Sequence, residues 1–408
     1  KMQTLSIHPL NIIKALSMAL EFSINGMSRH HWRTAFICYC IAEHINLGEK
    51  ETYELIYAAL LHDIGAASSW SERRKISVAS PLLVSNHKHA EEGYLLLKDA
   101  DKMGQLADII RHHHDNWDGT NFSRIYGEAI PLASRIINIA DKIELLIKND
   151  VPIFKQRNYI LSIINKYSNI CLDPKLVQVV NEIAETESFW LDLVNPNCYD
   201  LFFNKITEKT LTIFSLDDVI AIANIFATII DRTSKFTATH SRNVAQMAVF
   251  LAKQQAFSHD DLKIMEISGL LHDLGKLAVP NNILEKPAAL TTEEFSIIKQ
   301  HTYYTYRILQ QIDGFDTIAQ WAAYHHETLD GKGYPFRLKE SEISVGSRIV
   351  AVADVFVALT ENRPYRNKME VNKVENIIMD MVKQKKLDND IVSLLFDNRQ
   401  DAFALMAY

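Results

Sequence analysis

Apolar and small side chains recur at helical spacing along most of the chain. From Phe236 to Lys253, for example, Val244, Ala248 and Leu251 follow His240 at intervals of three and four residues. The same period marks three further stretches, Trp32–Ile45, Asp217–Ile230 and Glu370–Val382. The apolar–polar alternation of half-buried strands is scarce, and 13 Gly and 10 Pro leave few turns. The pattern therefore predicts an all-α protein built from two helical bundles.

One ordered set of His and Asp residues is superimposed on this pattern twice. In the second half the set is His240, His272, Asp273, His301, His325, His326 and Asp354, and in the first half it is His31, His62, Asp63, His89, His113, His114 and Asp141. The gaps between successive groups are 32, 29, 24 and 28 residues in one copy and 31, 27, 24 and 27 in the other. We infer an internal repeat, two copies of one domain, each with enough ligands for two metal ions.

The residues around these ligands also agree between the two copies. Gly-Leu-Leu-His-Asp-Leu-Gly at 269–275 matches Ala-Leu-Leu-His-Asp-Ile-Gly at 59–65. The alignment selects the second member of the pair His30 and His31, and it leaves His87 and His112 out of register. We therefore interpret His30, His87 and His112 as bystanders.

The two copies meet near residues 195–215. Asn195-Pro196-Asn197 breaks the preceding helix, and Ser215 followed by Asp217 and Asp218 is typical of an N-cap with an acidic first turn. We predict an N-terminal domain of residues 1–208 and a C-terminal domain of residues 209–408.

Composition narrows the classes of protein and partner. The 408 residues are 48% hydrophobic and 23% charged with a net charge of −7, which argues against a binder of duplex nucleic acid. No apolar run reaches the roughly 18 residues of a membrane span. The four cysteines (Cys38, Cys40, Cys171 and Cys198) form no Cys-x-x-Cys pair, which favours a reduced, cytoplasmic location.

The second-half set carries the chemistry of phosphoester hydrolysis. Asp273 has two carboxylate oxygens with which to bridge two cations, and Lys276 follows it by three residues, within reach of a phosphate oxygen beside them. His325 and His326 would diverge by about 100° inside a helix, so they converge on one metal only near a helix end. Because the set lacks Cys, iron, manganese or a catalytic zinc pair is favoured. Two such metals activate a bridging water as hydroxide.

The segment from His325 to Pro335, His-His-Glu-Thr-Leu-Asp-Gly-Lys-Gly-Tyr-Pro, resembles the HHExxDGxGYP signature of the HD-GYP phosphodiesterases. The resemblance covers roughly residues 225–400, including His272-Asp273-Leu274-Gly275-Lys276 and Arg363-Pro364-Tyr365-Arg366. It implies hydrolysis of a cyclic dinucleotide, most often cyclic di-GMP, to the linear dinucleotide. Cyclic GMP-AMP (3′,3′-linked) is the alternative substrate, because the sequence does not distinguish guanine from adenine recognition.

The resemblance also implies roles for individual residues. One metal would take His240, His272, Asp273 and Asp354, and the other Asp273, His301, His325 and His326. Asp273 and Lys276 would be catalytic, and Lys276, Gly333, Tyr334, Pro335, Arg363 and Arg366 would contact or shape the substrate site. The metals would be iron or manganese, with zinc, nickel and cobalt as alternatives. A third metal in some members needs a Glu where this chain has Phe236, so we expect two.

The first half resembles a plain HD-superfamily domain. All seven ligand positions are filled, but Ala66 replaces Lys276, residues 119–123 replace Gly-x-Gly-Tyr-Pro, and nothing like Arg-Pro-Tyr-Arg follows Asp141. Two interpretations remain open for this half, a second phosphohydrolase such as a 5′-nucleotidase and a metal-holding regulatory domain.

An alternative of a different class applies to the whole chain. In it the metals hold the fold, and the protein is a signalling scaffold that binds a partner such as a diguanylate cyclase, as the family resemblance implies. A homodimer is a separate candidate assembly under either function. The retention of Lys276 beside a full ligand set favours the enzyme, because a scaffold does not require them.

Overall fold

The computed structural model describes residues 7–22, 29–67, 69, 87–209, 212–233, 239–361 and 369–406. Phe236, Arg363 and Arg366, which the sequence singled out, lie outside these ranges. The chain divides into two compact units, one of His8–Ile213 and one of Phe214–Tyr408 to which Lys1–Ile7 belongs. The two isolated β-bridges, Ile7 with Phe214 and Ser168 with Leu172, are the extent of β-structure among these residues.

The first unit is built from α-helices joined by turns. Its described helices are α1 (Pro9–Glu21), α2 (His30–His44), α3 (Glu49–Leu61), α4 (His87–Leu97), α5 (Ala107–Arg111), α6 (Leu132–Leu146), α7 (Ile153–Lys166), α8 (Pro174–Ile183), α9 (Glu187–Val194) and α10 (Pro196–Lys209). Short 3₁₀ turns lie at Ile64–Ala66, Gly104–Leu106 and Gly127–Ala129. Helix α2 packs against both α3 and α6.

The second unit repeats this plan. Its described helices are α11 (Leu216–Thr233), α12 (His240–Gln254), α13 (His259–Leu271), α14 (Asn281–Leu284), α15 (Thr292–Leu309), α16 (Asp316–Ala323), α17 (Val345–Thr360), α18 (Val371–Lys383), α19 (Asn389–Asp397) and α20 (Arg399–Leu405). Its 3₁₀ turns lie at Leu274–Ala278, Tyr324–His326 and Glu340–Glu342. Helix α12 packs against α13 and α17 as α2 packs against α3 and α6.

Local sequence signals fix the ends of several helices. As predicted, α9 ends before Asn195 and α10 begins at Pro196, where the missing amide hydrogen is harmless. The Ser215 hydroxyl accepts from the Asp218 amide at 3.3 Å, and the Asp218 carboxylate accepts from the Ser215 amide at 2.9 Å. This reciprocal cap begins α11 where the sequence predicted a helix start.

The units part slightly later than the predicted boundary between residues 208 and 209, which falls at the end of α10. The first unit runs to Ile213, and the Phe214 amide donates to the Ile7 carbonyl at 2.7 Å. That backbone bond places Ile7, which the sequence assigned to the first domain, in the second unit. Among the helices that the structure describes, none has the length and apolar character needed to cross a bilayer.

A glycine two residues after each His-Asp pair permits a close approach to the helix that carries the next histidine. A Cβ on Gly275 would lie 1.8 Å from the His301 carbonyl oxygen, and one on Gly65 would lie 1.9 Å from that of His89. The Gly275 amide donates to the Thr305 hydroxyl at 2.9 Å, and that hydroxyl donates to the His272 carbonyl at 3.2 Å. The 3₁₀ turn is thereby held against α15 through backbone contacts that leave no room for a side chain.

We expect Gly275→Ala to destabilise the second unit by about 3 kcal/mol, because the added methyl overlaps backbone atoms that cannot rotate away. The melting temperature of this unit should fall by about 6–12 °C. Differential scanning calorimetry measures the change.

The control is Gly48→Ala, where the added Cβ meets the flexible carboxylate end of Glu51. We expect it to shift the melting temperature by about 2 °C or less. Equal losses in the two variants would contradict the role given to Gly275.

Candidate metal centres

The second unit brings all seven of its predicted ligands to one buried place. His240 begins α12, His272 and Asp273 follow α13, His301 lies within α15, His325 and His326 form the turn after α16, and Asp354 lies on α17. Two groups have ligand atoms within 4.8 Å of one another, His240 with His272 and Asp273, and His301 with His325 and His326. As predicted, the adjacent pair converges because the helix ends just before it.

Three of these imidazoles are oriented by their own helices. The Nδ1–H groups of His272, His301 and His325 donate to carbonyl oxygens three residues earlier, at 2.7, 2.6 and 2.7 Å respectively. A neutral imidazole that donates from Nδ1 has a lone pair on Nε2. In that neutral form all three rings would present an acceptor, the state required of a metal ligand.

The acceptors that face the centre lack hydrogen-bond donors among the described residues. The unsatisfied buried atoms are Nε2 of His272, His301 and His325 and Oδ1 of Asp273. Each unpaired buried polar atom costs about 1–3 kcal/mol, and four in one place are exceptional. A divalent cation satisfies such acceptors together, so the residues present fit a metal site.

The charge distribution supports the same conclusion. Burial lowers the pKa of His301 to about 3, so the ring is neutral at pH 7. Burial alone would raise the pKa of Asp273, but His272, Lys276 and His301 together hold it well below the usual range. The centre thus combines the Asp273 carboxylate anion with the neutral imidazole of His301.

His240 differs from the other rings because two carboxylates hold it. Its Nδ1 lies 3.0 Å from the Glu361 carboxylate, and its Nε2 lies 3.1 Å from that of Asp354. Burial alone would lower the pKa of His240, but Asp354 and Glu361 raise it to about 10. Without a metal this ring carries the proton that a cation between Nε2 and Asp354 would displace.

The backbone at the start of α12 is held by a carboxylate from the preceding helix. Asp231 accepts from the Ser241 amide at 3.1 Å and from its hydroxyl at 2.7 Å. Sequence reasoning missed both Asp231 and Glu361. Glu361 follows Asp354 by seven residues, two helical turns, which is the signal that places both on one face.

Lys276 lies beside the bridging carboxylate, as its spacing predicted. Its Nζ is 2.5 Å from Oδ2 of Asp273, and its side chain is 29% exposed. The ammonium therefore lies at the boundary between the buried centre and solvent, where an anionic ligand would meet it.

The Gly-Tyr-Pro loop packs directly on the histidine pair. The Tyr334 amide donates to the His326 carbonyl at 3.1 Å, and the two rings are 4.9 Å apart. A Cβ on Gly333 would lie 2.5 Å from that same carbonyl. Glu327, another residue missed from sequence, accepts from the Phe336 and Leu338 amides at 2.6 and 3.0 Å and anchors the loop.

The first unit assembles an equivalent group of candidate ligands, in which His30 lies beside His31. Its two groups are His30, His31, His62 and Asp63, and Asp63, His89, His113 and His114. Nε2 of His30 lies 3.3 Å from the Asp141 carboxylate and 3.5 Å from that of Asp63. Interpreting His30 as a bystander was therefore wrong, because its ring lies within the cluster.

Local contacts identify His30, rather than His31, as the counterpart of His240. The His30 Nδ1 contacts Glu144 as that of His240 contacts Glu361. The His31 amide donates to Glu21 at 2.5 Å, as the Ser241 amide donates to Asp231. The 32 residues from His30 to His62 equal the 32 from His240 to His272, and this was the signal in the sequence.

The surroundings of the two centres differ. Ala66, at the position of Lys276, is buried and brings no cation to Asp63. Phe122, in the loop that replaces Gly-Tyr-Pro, is 85% exposed. Asp115, which follows the histidine pair as Glu327 does, accepts from the Ser123 hydroxyl at 2.7 Å and from His112 at 2.7 Å.

Comparison with known proteins identifies both units. The HD domain family model matches residues 27–146, and a second HD domain model matches residues 224–391. The chain is 30% identical over 386 residues to the 3′3′-cGAMP-specific phosphodiesterase 1 of Vibrio cholerae, covering 92% of this chain and 88% of that protein. It is 41% identical to a cyclic di-GMP phosphodiesterase of Thermotoga maritima over 32% of this chain and 36% of that protein.

A solved structure extends the likeness to the whole fold. The crystal structure of a cyclic GMP-AMP specific phosphodiesterase from Vibrio cholerae superimposes with a TM-score of 0.67 at 25% identity. The match covers 97% of this chain and 98% of that one. The predicted all-α fold with tandem bundles is confirmed.

The metal content of variants distinguishes the roles of His30 and His31, the first two residues of α2. In an Asp273→Ala background, which weakens the second centre, we expect His30→Asn to lower metal affinity in the first unit beyond the about 10- to 100-fold caused by losing an outer-shell partner. His31→Ser, which installs the residue found in the other copy, should retain the metal. Inductively coupled plasma mass spectrometry after dialysis gives the stoichiometry.

If His31→Ser lost the metal and His30→Asn retained it, His31 would be the ligand, as the sequence alignment predicted. Circular dichroism of both variants shows whether a loss of metal reflects a loss of fold.

Proposed function

We propose that this chain, which belongs to the HD-GYP family of HD-domain phosphodiesterases, hydrolyses a 3′,3′-cyclic dinucleotide to the linear dinucleotide. The observation that carries the proposal is the second unit's centre, where unsatisfied imidazole and carboxylate atoms surround Asp273 and Lys276 stands at the edge. The enzyme would act in the cytoplasm, in keeping with its four free cysteines.

Two divalent cations fit the ligand groups of the second unit. His240, His272, Asp273 and Asp354 would hold one, and Asp273, His301, His325 and His326 would hold the other. Bound there, the cations would lower the pKa of a water molecule and offset charge on the phosphate. With neutral imidazoles and carboxylates but no thiolates, iron or manganese is the preferred occupant.

Lys276 would supply a positively charged hydrogen-bond donor, which the proposed metal ligands do not provide. Its ammonium, held by Asp273, would donate to a non-bridging oxygen of the scissile phosphate. Because that oxygen gains charge as the phosphoester is attacked, the contact strengthens in the transition state. Tyr334 and the anchored loop would close one side of the site and position the substrate.

The relatives favour cyclic GMP-AMP over cyclic di-GMP. Two Vibrio cholerae proteins named for 3′3′-cGAMP match 92% and 88% of this chain, so they share the tandem arrangement. The Thermotoga maritima protein named for cyclic di-GMP matches 32% of it. We therefore propose cyclic GMP-AMP as the preferred substrate and cyclic di-GMP as the second.

A second function is supported for the first unit. Its centre holds both His30 and His31 beside the other candidate ligands, but Ala66 brings no cation to it. We propose that it removes the terminal phosphate from the linear product, as a 5′-nucleotidase. A regulatory metal site is the alternative for this unit. A metal-holding scaffold that binds a partner such as a diguanylate cyclase is the alternative for the whole chain.

Product analysis tests which unit opens the ring and which unit releases the terminal phosphate. After anaerobic reconstitution with Fe(II) or Mn(II), we expect the wild type to convert cyclic GMP-AMP to the linear dinucleotide and then to release phosphate. Asp273→Ala should abolish ring opening, and Asp63→Ala should preserve ring opening while abolishing phosphate release. Liquid chromatography with mass spectrometry resolves the products.

Lys276→Ala, which removes no ligand, should lower kcat by about 100- to 1,000-fold with the metal content unchanged. Full ring opening by Asp273→Ala would overturn the assignment of this centre. A metal-loaded wild type that opens neither cyclic dinucleotide would favour the scaffold.

A further inference from the structure

Lys299 lies at the edge of the second centre, on α15 two residues before His301. The half-buried side chain places Nζ 4.7 Å from the centroid of the Phe295 ring and 5.5 Å from that of Tyr334. Tyr334 in turn lies 4.9 Å from the ring of His326, a proposed ligand. The ammonium is thus one aromatic ring away from the centre.

The Lys299 ammonium has no carboxylate partner within the part of the chain that the structure describes. Two lysines nearby in sequence behave differently, because Lys276 pairs with Asp273 and Lys286 pairs with Glu294. Two aromatic faces stabilise a cation without neutralising it. Lys299 is therefore a positioned positive charge that can accept an anionic ligand without first breaking an ion pair.

Comparison of the two copies shows that the ligand set can occur without this lysine. Its counterpart two residues before His89 is His87, an imidazole whose Nε2 accepts from the Phe122 amide at 3.4 Å. Ala66 likewise replaces Lys276. The two centres share their ligands but differ at both cations, so neither the ligand set nor the shared fold requires these lysines.

We infer that Lys299 binds the second, uncleaved phosphodiester of the cyclic dinucleotide while Lys276 binds the one that is cut. The inference rests on the proposed function. A cyclic dinucleotide has two phosphodiesters on opposite sides of its macrocycle, so fixing one at the ligands directs the other outward. Lys299 is separated from His326 by the Tyr334 ring, so it would meet that second phosphate and select for a substrate with two phosphates.

The test compares two substrates in Lys299→Gln. For cyclic GMP-AMP we expect KM to rise about tenfold, as for loss of one charge-assisted contact, with kcat within about twofold of wild type. For bis(p-nitrophenyl) phosphate, which has a single phosphodiester, kcat/KM should be unchanged. Lys299→Arg should recover most of the loss. Calorimetric titration of the chelator-treated protein with cyclic GMP-AMP should show the same weakening in Kd.

Lys263→Gln is the matched control, because it removes the same charge from a lysine that pairs with Asp217 outside the site. It should behave as wild type. An unchanged KM and Kd in Lys299→Gln overturn the inference. Equal losses on both substrates, with a lower melting temperature, also overturn it and assign Lys299 to the packing of Tyr334. If the wild type opens no cyclic dinucleotide, the proposed function fails, and the calorimetric comparison still decides whether Lys299 binds it.

Discussion

The second unit depends on burying several imidazole acceptors around one carboxylate. Nε2 of His272, His301 and His325 and Oδ1 of Asp273 are buried without donors among the described residues. At about 1–3 kcal/mol for each unsatisfied atom, such a cluster destabilises the metal-free fold. Cations that satisfy all four atoms at once would recover that free energy, so metal binding and folding stability are coupled in this unit.

The rest of the unit keeps those acceptors in place. Each Nδ1–H is engaged by a carbonyl one helical turn earlier, which fixes the tautomer before any metal arrives. Gly275 lets the His-Asp turn touch α15, and Asp231 holds the start of α12. These contacts join separate helices, so the ligand geometry follows from helix packing rather than from any single segment.

The helices and most of the ligands could be predicted from the sequence because both depend on local spacing. The period of apolar residues predicted the positions of α2, α11, α12 and α18. The two matching series of gaps between His and Asp residues predicted the candidate ligands. His30 was missed because the choice between adjacent histidines was made on overall register. The gap of 32 residues from His30 to His62 equals the gap from His240 to His272, and this local match indicated His30.

The roles of other residues could not be predicted from the sequence, because those residues act through tertiary contacts. Glu327 reaches the amides of Phe336 and Leu338 only after the loop has folded back over it. Lys299 is significant because Phe295 and Tyr334, far apart in sequence, meet around its ammonium. The spacing of four residues places Phe295 beside Lys299 on one helix, but only tertiary packing brings Tyr334 to the same ammonium.

The two units show which parts of such a centre can change independently. Both surround a buried aspartate with histidines, yet one has His31 where the other has Ser241, and the other has Lys276 where the first has Ala66. Tyr334 is packed on its histidine pair, whereas Phe122 at the corresponding loop position is largely exposed. Because these differences lie outside the shared ligands, substrate preference can diverge while the metal chemistry is retained.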